Sequence, residues 1–204
     1  MINKIKKVVP YLPNFINGYN LTIISIVWSF MIIAGGYLSS INMKWLYLSI
    51  FGILFHCITD MLDGAVGKYQ KTGAIIWGYF MDHTMDVVIT ISMSIALALV
   101  FPKFQFYILV LLGLQLLLMT TTFLSLDDNG LDISICHDKI CLGPADILIL
   151  IAFLFLFTIY FKNKINKYFF IFLIILLIIV NINKIYQKQK KYHHDDMKNK
   201  KQSQ

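Results

Sequence analysis

The sequence predicts an all-α fold: a polytopic membrane protein of six transmembrane helices with an N-terminal interfacial helix. Three observations carry this expectation. Hydrophobic residues make up 58% of the 204-residue chain, against about 45–50% in ordinary soluble domains. The mean hydropathy is +0.69. The apolar residues also fall into separate runs, most of them near the roughly 20 residues a helix needs to cross the hydrocarbon core of a bilayer.

Residues 1–18, MINKIKKVVPYLPNFING, start basic, lack a signal-type apolar run before Pro10 and show no small-residue cleavage site. Such a segment is expected to be retained as an interfacial helix. Spanning windows follow at 20–40, 45–63, 74–101, 104–124, 145–161 and 168–187, which together define a six-helix membrane domain over 19–187. The third window is long enough to tilt or to extend past the bilayer, and the fifth is short. From 188 to 204 the chain is polar, charged and without apolar periodicity, so this basic tail is expected to be disordered and drawn to anionic headgroups.

Charge sets the topology. All 18 basic residues are lysine and all 11 acids are aspartate, for a net charge of +7. With both termini in the cytoplasm, 13 lysines lie in inner segments, against Lys44, Lys103, Lys162, Lys164 and Lys167 outside. The positive-inside rule favours that arrangement, although the cluster KNKINK at 162–167 opposes it. The loop over 125–144 then shares the cytoplasmic face with residues 60–86. Lipids, not nucleic acid, are the expected surroundings of the positive charge.

Cysteine carries little of the argument. Cys57, Cys136 and Cys141 are odd in number and fit no secreted scaffold, so free thiols are expected. CHDKIC at 136–141 lacks the second ligand pair of a structural zinc site. His193, His194, Asp195 and Asp196 form a second His-Asp cluster, in the tail.

The chemistry lies in four aspartates. Asp60 and Asp63 stand at i, i+3 and Asp82 and Asp86 at i, i+4, so each pair occupies one face of its helix. Four carboxylates facing one another at a membrane interface repel strongly unless cations neutralise them, and two divalent ions would balance their charge. All-oxygen ligation suits Mg2+ or Mn2+, and paired metals serve displacement at phosphorus. Gly64 follows Asp63 directly, and Gly78 lies one turn before Asp82, where a bulky ligand could approach the backbone.

The stretch DMLDGAVGKYQKTGAIIWGYFMDHTMD, residues 60–86, resembles the signature of the CDP-alcohol phosphotransferase (CDP-alcohol phosphatidyltransferase) family, D-x2-D-G-x2-A-R-x8-G-x3-D-x3-D. All four aspartates match, as do Gly64 and Gly78. Two departures mark a divergent member: Gly67-Lys68 replaces Ala-Arg, and nine residues instead of eight separate Lys68 from Gly78. Fainter similarities lie in NLTIIS at 20–25, which resembles the opening of the family's first helix, and in GPAD at 143–146, which resembles a Gly-Pro turn before the fifth. His83 follows Asp82 as it does in the choline and ethanolamine branch.

The resemblance implies a phospholipid-biosynthesis transferase that passes a phosphatidyl or phosphoalcohol group from a CDP-alcohol, such as CDP-diacylglycerol, CDP-choline or CDP-ethanolamine, to an acceptor hydroxyl with release of CMP. It implies two metals held by Asp60, Asp63, Asp82 and Asp86, with Asp86 as general base. Gly64, Gly67, Lys68 and Gly78 become the donor-binding residues, the active site faces the cytoplasm, and the assembly is a homodimer. Two other readings fit the aspartates. One is a cation channel or transporter, for which internal repeats and broken helices are missing from the sequence. The other is a degenerate family member that binds nucleotide or lipid without turnover.

Overall fold

A computed structural model describes residues 9, 13, 16–70, 75–123, 144–161 and 167–202. Within these the protein is helical and holds no strand. Six helices follow one another: α1 (Gly18–Leu38), α2 (Leu46–Gln70), α3 (Ile75–Val100), α4 (Gln105–Phe123), α5 (Pro144–Phe161) and α6 (Lys167–Gln202). Single 3₁₀ turns, Met43–Trp45 and Pro102–Phe104, lead into α2 and α4. Five helices are long and apolar enough to cross a membrane, and Ile149–Phe161 of α5 is a shorter apolar stretch. The all-α, polytopic reading with about six spans therefore holds. Large side chains such as Phe30 (69% exposed) and Phe106 (73% exposed) cover the outside, a surface suited to lipid and not to water.

Two compact units divide the chain: α1, α2, α3 and α5 in one, α6 and α4 from Phe106 onward in the other. In the first unit α1 packs along both α2 and α3, while α2 and α3 touch each other far less. The sequence of α1 explains its place. Its buried residues are Thr22, Ser25, Ser29, Ile32, Gly35 and Gly36, a largely small-residue stripe that admits neighbouring backbones closely. A Cβ on Gly35 would stand 2.6 Å from Ser49 N of α2, and one on Gly36 would stand 2.7 Å from Ala96 Cα of α3. Ser49 also donates a 2.7 Å hydrogen bond to the Ile32 carbonyl. Ile53, Ile89, Met93 and Phe155 complete this core.

Helix ends follow local chemistry. The Asn17 side chain caps α1 by accepting from the Asn20 N–H at 2.8 Å. Pro144 opens α5 at the first helical position, where its missing N–H costs nothing; Gly143 of GPAD lies outside the described residues. Because α2 runs back along α1 and α3 returns again, the start of α1, the end of α2 and the start of α3 meet at one end. There Gln70 Nε2 donates 2.9 Å to the Ile16 carbonyl, and the Tyr19 and Trp77 rings lie 4.1 Å apart between centroids.

In the second unit Asn181 of α6 donates to the Leu114 carbonyl of α4 at 3.2 Å, and Lys184 Nζ donates to Thr122 Oγ1 at 2.7 Å. The tail corrects an expectation. Instead of ending near 187, α6 continues as a helix through Gln202. From Ala145 onward the sequence contains no glycine or proline to end a helix, and the Lys- and Gln-rich stretch that follows the apolar part propagates it. The expected interfacial helix over 1–18 falls almost wholly outside the described residues, as do the 125–143 part of the loop and its CHDKIC.

Candidate active site

Three helices build the site from one end of the first unit. Along α2, His56, Asp60 and Asp63 follow one another at four and three residues and share a face; α3 brings Asp82, His83 and Asp86; α1 supplies Thr22 and Ser25. All four aspartates are half-buried. Asp60 lies within hydrogen-bonding reach of Asp82 and within the electrostatic field of Asp86, and Asp63 lies in the field of Asp60. The fold thus brings into one cluster the two acidic pairs that the sequence places on separate helices.

Neighbours fix individual members. Thr22 Oγ1 donates 2.8 Å to Asp63 Oδ2 and also stands 2.9 Å from the Gly18 carbonyl. His56, only 1% exposed, has Nδ1 3.3 Å from Ser25 Oγ and Nε2 3.7 Å from Asp86 Oδ1. His83 reaches Asp86 as well. One ligand atom each from His56, Asp60 and Asp86 lies within 4.8 Å of the others, close enough to hold a metal ion among them. Carboxylate oxygens joined by an imidazole form a donor set that fits a divalent cation.

Glycines divide into two kinds. A Cβ on Gly64 or Gly78 would meet nothing within 4 Å, so both border open space. Gly67 instead backs onto α1: a Cβ on Gly18 would stand 3.7 Å from Gly67 Cα and 3.3 Å from the Asp63 carbonyl. Lys68 rides on the end of α2, its side chain outside the described set.

Sequence reasoning missed His56 as a member of the cluster and assigned no contact to Thr22 or Ser25. The signals were present. His56 precedes Asp60 by four residues, and NLTIIS contains both α1 side chains that touch the site.

The cluster, at one end of helices long and apolar enough to cross a membrane, combines a donor set that could hold a divalent cation with open backbone beside it. The family model described as CDP-alcohol phosphatidyltransferase matches residues 10–186, most of the chain, and the protein belongs to that family. It is accordingly a multi-pass membrane transferase of phospholipid synthesis, working on a CDP-alcohol donor and an alcohol acceptor. No curated protein and no solved structure matches the chain.

Proposed function

We propose that the protein moves a phosphatidyl or phosphoalcohol group from a CDP-alcohol to a second hydroxyl and releases CMP at the aspartate cluster of α2 and α3. The observation that carries this reading is the convergence of Asp60, Asp63, Asp82 and Asp86 at one end of α1 in a chain of this family.

Asp60, Asp63 and Asp82, with Asp86 in reach, would hold two Mg2+ or Mn2+ ions. Bound there, the ions supply positive charge that polarises the pyrophosphate and stabilises the leaving CMP. Asp86 takes the proton of the acceptor hydroxyl as its oxygen bonds to the β-phosphorus and the phosphorus–oxygen bond to CMP breaks. Thr22 orients Asp63 through its hydrogen bond. Gly64 and Gly78 leave backbone uncovered for the donor, and Lys68 adds a cation without the bidentate fork of an arginine. The lysine distribution favours a site open to the cytoplasm.

Membranes containing the protein, supplied with CDP-diacylglycerol, CDP-choline or CDP-ethanolamine and with glycerol phosphate, inositol, inositol phosphate, serine or diacylglycerol, test this reading. One donor–acceptor pair should release CMP in step with formation of a lipid product. Failure of every pair to release CMP would contradict transfer.

A further inference from the structure

We propose that His56 is a metal ligand, its Nε2 joining carboxylate oxygens of Asp60 and Asp86 in a mixed nitrogen–oxygen site that favours Mn2+ over Mg2+. The proposal rests on the transferase reading only in placing a divalent ion at the aspartates. Nothing in the spacing of the four acids requires a histidine.

Burial supplies the first argument. His56 sits in the apolar run FGILFHCI and is 1% exposed, so each ring nitrogen needs a polar partner. Ser25 Oγ at 3.3 Å serves Nδ1. That leaves Nε2 facing the aspartates, with Asp86 Oδ1 at 3.7 Å, beyond the roughly 2.7–3.2 Å of a hydrogen bond. The two groups form a long ion pair, and that spacing also admits an ion ligated by both.

Geometry supplies the second. One ring nitrogen of His56 and one carboxylate oxygen each from Asp60 and Asp86 lie within 4.8 Å of one another, and it is Nε2 that stands on the Asp86 side. A divalent ion with ligands at about 2.1 Å holds neighbouring ligand atoms about 3 Å apart and opposite ones about 4 Å apart. Ion binding would therefore draw the three atoms together by up to about 1 Å, a shift of the size that rotating one carboxylate produces. His56 and Asp60 come from a single helical face and Asp86 from α3, so ligands from two helices surround the position.

The second ring nitrogen also has an outer partner. Metal-bound histidines usually have the second ring nitrogen held by another group, which fixes the ring and the nitrogen offered to the ion. Ser25, buried on the α1 stripe, stands in that place. An imidazole in the set suits Mn2+ and other transition ions, whereas Mg2+ prefers oxygen and retained water.

The test uses the purified full-length protein in detergent, loaded with Mn2+ alone, and pulsed electron paramagnetic resonance to detect a coordinated imidazole nitrogen. The wild type should show that nitrogen coupling. His56→Gln should abolish it, whereas His83→Gln and a His193→Gln/His194→Gln variant should retain it. In parallel titrations His56→Gln should weaken Mn2+ by about 10-fold or more, and Mg2+ by much less. Bound Mn2+ without imidazole coupling in the wild type, or coupling that survives His56→Gln, overturns the ligand assignment while leaving the carboxylate site and transferase reading in place. Absence of any Mn2+ binding overturns both. The wild-type spectrum decides even if a variant fails to fold.

Discussion

Thr22 Oγ1 donates a 2.8 Å hydrogen bond to Asp63 Oδ2, joining the first helix to an acidic residue of the second. A carboxylate that must meet a cation in a fixed orientation benefits from such a partner, and losing one typically costs 10–100-fold in metal affinity. Thr22→Val preserves the shape of the side chain and removes the donor. Divalent-metal affinity should fall by about 10-fold while the helical content is kept. Calorimetric titration of Mn2+ into wild type and variant checks this, and unchanged affinity would make the bond incidental to the site.

Glycines that face a neighbour and glycines that face open space should respond differently to substitution. Gly36→Val places a side chain where Ala96 Cα stands 2.7 Å from the Cβ position. Separation of α1 from α3 should destabilise the protein by about 1–3 kcal/mol, the usual range for overpacking. Gly64→Ala meets nothing within 4 Å, and it should hold or raise stability by up to about 1 kcal/mol through helix propensity. Its effect should appear instead as a raised KM for the CDP-alcohol. Thermal unfolding in detergent beside a steady-state CMP-release assay measures both.

Asp86 and Asp63 should fail in different ways. Asp86→Asn retains a carbonyl oxygen for ligation but cannot take the acceptor's proton, so turnover should drop by about 100-fold or more with a smaller loss of metal affinity. Asp63→Asn removes charge from a carboxylate that Thr22 holds in place, and the larger loss should be in metal affinity. Unchanged turnover in Asp86→Asn would remove that residue from proton transfer.

Much of this was legible in the sequence because helices of a membrane protein are long and their periodicity is simple. Asp60, Asp63, Asp82 and Asp86 declare their faces by spacing alone, and the family signature runs through all four. What spacing does not give is the helix that stands between them. Thr22 and Ser25 become site residues only because the glycine- and serine-lined stripe of α1 lets α2 and α3 close on it. His56 was hidden by its setting, since a histidine inside FGILFHCI reads as part of a lipid-facing run until α3 brings Asp86 to within 3.7 Å of it. The tail shows the opposite error. Its polarity suggested disorder, whereas the absence of helix breakers after Ala145 lets α6 run to Gln202.

If the carboxylate cluster transfers a phosphoryl-linked group with the help of divalent ions, removing those ions should stop transfer. Purified protein, given the donor–acceptor pair that its membranes accept, is assayed for CMP release with Mg2+ or Mn2+ present, after exhaustive chelation, and after the ions are restored. Release should fall to background on chelation and return on adding either ion, because aspartates this close together cannot accommodate a pyrophosphate without positive charge between them. Full CMP release in excess chelator would mean that transfer at these aspartates does not depend on divalent ions.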